Sequence, residues 1–424
     1  MFAGILSIIL CHCDLREANA CFEEIASPLA ALEMTFLGEL MNHNLSRRDF
    51  LKIAGTGLSA LALKPYGVLN LEYLSIPKRL PDFPKSEIIG RTVDPGVDLR
   101  STPTNDPSQN NSITKLGADT LVEWGRQVIG NVLGGLTNQR YVETPNGYIY
   151  SSALQPTRNL PNTPIAEMSA GQPGFWAEVT VPYVDLTHEG VVASPWLQDH
   201  IAYNFPPRLY YGQVVWIDKV RVSNGFPEYR WNEDVNGHGY GYGAYGEFFW
   251  ADGAAFKILA EEDVAPIHPD IDPNDKRIEA DLDYQTLSCY EGNTEVYFCR
   301  ISSGIGYDPE TGQKSEKLAT PVGSLLTHWK IISENMTAGS SQAGYSTPAV
   351  PWTTMISGDG VAIHGAFWHN AFGEKRSHGC INVSPEDAKW IFRWTTPYIS
   401  LAQSEMRVSL PDHGTIVVTS ELKL

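Results

Sequence analysis

Positive charge is scarce in this chain, which carries 31 Lys and Arg residues against 49 Asp and Glu residues. The formal net charge of −18 would repel a polyanion, which argues against nucleic acid as a partner. The simplest explanation of this acidity is solubility. The sequence also lacks any Cys-x-x-Cys or His-x-x-x-His pair, the spacings that commonly mark a zinc site, so we expect no metal and no other cofactor.

Cysteine is scarce as well. Three of the six cysteines lie near the N-terminus, and the other three are Cys289, Cys299 and Cys380. Three thiols cannot all pair within one chain, and an odd cysteine in an exported protein indicates a reactive thiol.

The segment 285–300 predicts a β-hairpin with a two-residue loop. In that register Cys289 lies opposite Val296, and Cys299 lies opposite Thr286. The two thiols would then face opposite sides of the sheet, so we expect no disulfide between them.

No apolar run in the chain is long enough to span a bilayer comfortably. The apolar run Ile53–Leu63 is short, and it follows Ser-Arg-Arg-Asp-Phe-Leu-Lys at residues 46–52. This arrangement resembles a twin-arginine export signal, which is an address read by a receptor and not an anchor. We expect residues 41–64 to be this signal and residues 1–40 to be a dispensable leader or an over-extended start. The competing interpretation is a basic cap before a core helix.

Aromatic residues make up 11% of the chain, and 37 Gly and 28 Pro residues accompany them. Many aromatics with many turn formers predict a mainly β protein of short strands. We expect a linker at 65–87, a small barrel at 88–156, a β-rich middle region at 157–265 and a third region at 266–421.

The stretch 88–156 resembles a bacterial SH3-like domain, especially at Asp-Leu-Arg-Ser (98–101) and Gly-Tyr-Ile-Tyr-Ser (147–151). The resemblance implies that this part holds the rest of the protein near cell-wall peptide. A structural spacer is the alternative, and the middle region is a candidate second SH3-like unit.

The C-terminal region contains a histidine and a cysteine that are separated by a short loop in the sequence. The segment 360–365 predicts a strand that delivers His364 near its end, and Cys380 follows a short loop. A thiol is a strong nucleophile only as its thiolate, so it needs a base such as His364 nearby. Gly379 allows a tight turn in which its amide and that of Cys380 can point at one oxygen. Zinc coordination is the competing interpretation, because four residues here can bind a metal: His364, His369, His378 and Cys380.

Residues 266–421 resemble the L,D-transpeptidase (YkuD) catalytic domain. The matching motifs are Thr-Pro-Val-Gly at 320–323, Ile-His-Gly at 363–365, Ser-His-Gly-Cys-Ile-Asn at 377–382 and Asp-Ala at 387–388. Many members of this family have Arg where this chain has Asn382. The resemblance implies a β-sandwich-like fold with a short helix after the nucleophile, which the Ser-Pro-Glu-Asp cap at 384–387 also predicts, extending to about Thr395.

The resemblance also implies roles for individual residues. Cys380 is the nucleophile and His364 its base, the carbonyl of Gly365 orients the His364 ring, and His378 and Ser377 shape and support the oxyanion pocket. The implied substrates are peptidoglycan stem peptides, as acyl donor and as acceptor, at an extracytoplasmic site in the cell wall or periplasm. An L,D-carboxypeptidase that uses water as acceptor, and a wall-binding protein with a vestigial catalytic domain, are the alternatives.

Overall fold

The computed structural model describes residues 79–134, 137–236, 247–309, 311–338, 345–409 and 414–422. All of them belong to one compact unit that spans residues 70–424. The leader and the twin-arginine signal predicted for residues 1–64 lie outside the described residues. In the part of the chain that is described, no helix is long and apolar enough to cross a membrane.

The first β region is built from short antiparallel strands, and three of them end immediately before a turn former, at Gly117, Gly130 and Pro145. Its strands are β1 (Ile89–Thr92), β2 (Val97–Arg100), β3 (Ser112–Leu116), β4 (Leu121–Glu123), β5 (Gln127–Ile129), β6 (Arg140–Thr144), β7 (Gly147–Tyr150) and β8 (Leu154–Thr157). They form a five-stranded sheet in the order β3-β2-β7-β6-β5 and a three-stranded sheet in the order β4-β1-β8. Leu99, Val142, Ile149 and Leu154 form the small core. The strands predicted in this stretch are confirmed, and its SH3-like character stays a prediction.

The middle region is a second β unit. It contains β9 (Phe175–Val179), β10 (Tyr183–Asp185), β11 (Thr187–Glu189), helix α1 (Pro195–Ala202), β12 (Arg208–Tyr210), β13 (Val214–Ser223), β14 (Phe226–Asn232), β15 (Phe248–Asp252) and β16 (Phe256–Ile258). A six-stranded sheet runs in the order β11-β15-β14-β13-β9-β16, and β10 pairs with β12. Its core includes Phe83, which is 6% exposed, so the described end of the predicted linker packs onto this region.

The C-terminal region is a sandwich of two five-stranded sheets. Its elements are α2 (Glu261–Val264), β17 (Lys276–Asp281), β18 (Thr286–Glu291), β19 (Thr294–Arg300), β20 (Gly323–Leu326), β21 (Trp329–Ala338), β22 (Tyr345–Met355), β23 (Ala362–Gly365), β24 (Ile381–Val383), α3 (Pro385–Trp394), β25 (Glu405–Arg407) and β26 (Ile416–Ser420). The sheets run in the orders β19-β18-β17-β26-β20 and β24-β23-β22-β21-β25. The mainly β fold predicted from the sequence is confirmed.

Helix α3 forms because its first turn is capped and one face is apolar. The Ser384 hydroxyl accepts a hydrogen bond from the Asp387 amide at 3.1 Å, and Pro385 begins the helix. Ile391 and Phe392 are fully buried in the sandwich core. The predicted helix is therefore confirmed, and it fixes the chain immediately after β24.

The predicted register of the β18–β19 hairpin is correct next to the loop but wrong by one residue on the far side of a β-bulge. Cys289 pairs with Tyr297 and Cys299 pairs with Leu287, because the register shifts between Cys289 and Tyr290. Because β19 has one extra residue at the bulge, both thiols lie on the buried face of the sheet. The prediction that they face opposite sides is therefore wrong. Both thiols are nevertheless free, as expected.

Candidate functional site

Two adjacent parallel strands bring the predicted nucleophile and base together. Strand β23 pairs with β24 in parallel, with Ile363 opposite Ile381 and His364 opposite Asn382. Cys380 immediately precedes β24 and therefore lies beside the strand that carries His364. Both side chains line a cavity of about 290 Å³, together with Met336, Thr347, Trp368, Arg376, Ser377, His378 and Asn382.

A tight turn before β24 presents Cys380 to this cavity. Gly379 has φ +127°, a backbone conformation that favours glycine. Its carbonyl accepts a hydrogen bond from the Thr320 hydroxyl at 2.8 Å. The Ser377 hydroxyl donates to the Cys380 carbonyl and accepts from the Gly379 amide at 3.1 Å. Ser377 and Thr320 therefore fix the backbone on both sides of the nucleophile.

The His364 ring is oriented by a backbone carbonyl. Its Nδ1 lies 3.4 Å from the Gly365 carbonyl oxygen, a long contact that suits an Nδ1–H donor and leaves Nε2 without its proton. The Trp368 ring stacks beside it, with ring centroids 5.7 Å apart. Burial lowers the pKa of His364 to about 4, opposed by the bond to Gly365. The imidazole is thus neutral at pH 7 and able to accept a proton.

The thiol is neutral as well. Burial raises the pKa of Cys380 to about 11, opposed by a hydrogen bond from the Ala362 backbone. Its Sγ lies 3.8 Å from the carbonyl oxygen of Gly360. The free site therefore holds a neutral thiol beside a neutral imidazole, and the thiolate has to form by proton transfer during the reaction.

The predicted oxyanion donors are not both available in this arrangement. The Gly379 amide already donates to Ser377, as described above, so it can turn to a substrate oxygen only if that bond breaks. His378 is exposed and lines the cavity. Its part in an oxyanion pocket stays a prediction.

The loop between β23 and the nucleophile turn is held by the first β region, which sequence reasoning missed. Arg91 on β1 donates to the Phe367 carbonyl at 2.8 Å, and Asn370 donates to the Ser151 carbonyl at 3.0 Å. The hydroxyl of Thr137 donates to the Gly373 carbonyl at 2.9 Å. This loop carries Trp368, so the first β region fixes one wall of the cavity. No local sequence pattern reports a contact between residues so far apart in the chain.

Asn382 and Arg376 also line the cavity without a role assigned from the sequence. Asn382 alternates with Cys380 along the chain, which is the signal that could have placed it on the same side of β24. Among the described residues, no three His, Cys, Asp or Glu side chains group as metal ligands.

Comparison with known proteins finds a family that is similar to this region. The model of the YkuD family, the L,D-transpeptidase catalytic domain, matches residues 275–418. The C-terminal region of the chain is therefore similar to that catalytic domain.

The curated relative "L,D-transpeptidase 2" of Mycobacterium tuberculosis is 33% identical over 118 residues, which cover 26% of this chain. The match spans only 28% of the length of that relative. The catalytic domain of the E. faecium L,D-transpeptidase is 25% identical with a TM-score of 0.25, covering 35% of this chain and 98% of that one. The L,D-transpeptidase from Mycobacterium smegmatis is 18% identical with a TM-score of 0.27, covering 48% of this chain and 93% of that one.

Proposed function

We propose that this protein is an L,D-transpeptidase that cross-links peptidoglycan stem peptides through a thioester on Cys380. The observation that carries the proposal is that Cys380 and His364 line one cavity, where His364 lies on β23 and Cys380 immediately precedes the parallel strand β24. Both residues belong to the region that the YkuD family model matches. The acyl donor is a tetrapeptide stem, and no cofactor takes part.

The first half-reaction releases D-alanine. The Cys380 thiol transfers its proton to Nε2 of His364, and the sulfur attacks the carbonyl between the third residue of the stem, at its L-centre, and D-alanine. The tetrahedral intermediate collapses to a thioester, and the imidazolium returns the proton to the leaving amine.

The second half-reaction resolves the thioester. An amine of a neighbouring stem attacks the thioester carbonyl, and His364 accepts the amine proton and returns it to the departing sulfur. A new amide bond forms, and the thiol is restored. The neutral forms of both groups suit this cycle, because one proton moves between them without a net change of charge.

Hydrolysis by water is the second candidate and would make the protein an L,D-carboxypeptidase. A wall-binding protein with a vestigial catalytic domain is disfavoured by the intact Cys380, His364 and Gly379. We also propose that residues 41–64 are a twin-arginine export signal, which would place the protein outside the cytoplasm and in association with the cell wall.

Incubation with purified muropeptides and mass analysis of the products tests the function. We expect release of D-alanine and a dimer joined through the third residue of the donor stem. A tripeptide stem without any dimer would assign the carboxypeptidase activity, and unchanged muropeptides would contradict both enzymatic candidates. Cys380→Ser, which keeps the size of the side chain and makes the nucleophile far harder to ionise, is the matched control.

A further inference from the structure

The side chain of Asn382 has a buried polar atom for which the mechanism above gives no partner. Asn382 is only 3% exposed, and its Oδ1 accepts no hydrogen bond from any described residue. Its backbone is fixed, because its amide donates to the Ser302 carbonyl at 2.9 Å and its carbonyl accepts from the Ser302 amide at 2.8 Å. A buried polar atom without a partner costs free energy, so its position in the catalytic cavity needs an explanation.

The neighbouring His369 determines which way the Asn382 amide faces. The Ala371 amide donates to Nδ1 of His369 at 3.2 Å, so Nδ1 carries no proton. Burial, with Arg376 and His364 as smaller causes, lowers the pKa of His369 to about 3. The ring is therefore neutral at pH 7, and its single proton is on Nε2.

This tautomer excludes an amide orientation in which Nδ2 of Asn382 faces His369. Nε2 of His369 lies 3.0 Å from Nδ2 of Asn382, which places two N–H donors face to face. The oxygen and nitrogen of an amide are assigned from the hydrogen-bond network, because their shapes are nearly identical. A half-turn of the amide removes the conflict, since Oδ1 then accepts the Nε2 proton. The NH₂ group then occupies the position that has no partner among the described residues.

The surrounding hydrogen bonds hold His369 in this state. The Ser302 hydroxyl donates to the Ala371 carbonyl at 2.9 Å, and the Ala371 amide donates to the ring. Since Ser302 also pairs with the backbone of Asn382, these four residues close a ring of hydrogen bonds. All four are at most 3% exposed, so water does not compete for these groups.

We propose that His369 is a positioning residue that holds the amide of Asn382 with its NH₂ group facing the catalytic cavity, where it donates a hydrogen bond to an oxygen of the acyl donor. The proposal rests on the proposed function, because it concerns the same cavity. The Asn382 NH₂ group would supply a hydrogen-bond donor to the substrate oxygen, which is needed because the Gly379 amide already donates to Ser377. The acceptor is an oxygen next to the scissile bond, either the carbonyl under attack or the carboxylate of D-alanine.

Substitution of Asn382 tests the donor. Asn382→Asp keeps the shape and still accepts from His369, but it offers no N–H to the substrate. We expect the rate of acylation of Cys380 by a carbapenem and by the tetrapeptide to fall about 10- to 100-fold in Asn382→Asp and Asn382→Ala. Unchanged rates in both variants would overturn the proposal.

Substitution of His369 tests the positioning. We expect His369→Phe to lower kcat/KM for the tetrapeptide about 10-fold, the range of one hydrogen bond, and His369→Gln, which can donate to the same oxygen, to recover part of the loss. In an Asn382→Ala background, His369→Phe should have no further effect, because its target is gone. A full additional loss in the double variant would assign His369 a structural role only and overturn the positioning.

Two further measurements separate the remaining outcomes. Nitrogen NMR of histidine-labelled protein should find the proton of His369 on Nε2, and a proton on Nδ1 would overturn the proposal even if a variant fails to fold. A donor ending in D-alaninamide, which lacks the carboxylate, identifies the oxygen that accepts the hydrogen bond. With this donor the effect of Asn382→Ala disappears if Asn382 binds the carboxylate, and it persists if Asn382 binds the carbonyl. Failure of the wild-type protein to acylate with any donor would contradict the proposed function itself.

Discussion

Arg91 connects the first β region to the loop that carries Trp368, because it donates to the Phe367 carbonyl. Its side chain is 3% exposed and forms an ion pair with Asp119 at 2.6 Å. It also donates to Gln155 at 2.7 Å and to the Phe367 carbonyl at 2.8 Å, and it lies over the Tyr210 ring. Arg91→Ala removes all of these contacts at once.

These contacts set the expected loss in the free energy of unfolding on substitution of Arg91 by Ala. Breaking a buried ion pair by removing one partner costs roughly 3–5 kcal/mol. The lower end applies here, because Arg208 remains 2.9 Å from Asp119 and keeps that carboxylate paired. We therefore expect the free energy of unfolding to fall by about 3 kcal/mol. The loop that carries Trp368 loses its anchor at Phe367, and a displacement of about 1 Å at a reacting centre can slow a reaction about 100-fold.

The assay pairs urea unfolding with the rate of acylation of Cys380 by a carbapenem. The matched control is Arg126→Ala, which removes an arginine from the same β region, one whose side chain is 75% exposed and pairs with Glu143 at 2.6 Å. Because this ion pair is exposed to solvent, we expect the control to leave both the stability and the rate of acylation nearly unchanged. If Arg91→Ala lowers stability but acylates at the wild-type rate, the first β region is a spacer and the reasoning about the loop is refuted.

We expect His364→Ala to slow carbapenem acylation about 100- to 10,000-fold at neutral pH and to recover as the pH rises towards the raised pKa of Cys380, near 11. His378→Ala should also slow acylation, but raising the pH should not restore its rate. If raising the pH restores the rate of His378→Ala and not that of His364→Ala, the roles of the two histidines are reversed. Burial and the Glu405 carboxylate raise the pKa of Glu334 from 4.5 to about 8, so its contribution to stability is full below pH 4.5 and is lost as the pH rises through 8. Glu334→Gln should therefore raise the free energy of unfolding near pH 8 and not near pH 4, and an equal change at both values in urea unfolding would contradict the shift. Replacing both Arg47 and Arg48 by Lys should trap the precursor inside the cell, and cell fractionation that finds undiminished export would exclude the twin-arginine signal.

Local patterns predicted the elements that carry the site. The cap at Ser384 and the apolar face of the following residues fixed helix α3 to within one residue at its end, because a helix terminus is determined by its own side chains. The strand ending near His364 was likewise predicted from its own residues, the pattern at 360–365. The link between Cys380 and His364 came from the family resemblance, since no local pattern reports which strands become neighbours.

Features that depend on contacts between distant segments were not predictable. The bulge on β19 turned Cys299 to the side of the sheet that Cys289 faces, and a one-residue slip leaves no mark in the alternation of side chains. The bond from Arg91 to the active-site loop joins residues 276 positions apart. The occupation of the Gly379 amide by Ser377, and the ring of hydrogen bonds around His369, likewise exist only in the folded chain.

The mass of the intact protein after brief incubation with a tetrapeptide stem shows whether Cys380 forms the thioester. We expect an increase equal to the mass of the stem without its D-alanine, which peptide mapping locates on Cys380 and which is lost when an amine acceptor is added. Cys380→Ser should show no adduct under the same conditions. An adduct that persists in Cys380→Ser, or that maps to another residue in the wild-type protein, would contradict the assignment of Cys380 as the nucleophile.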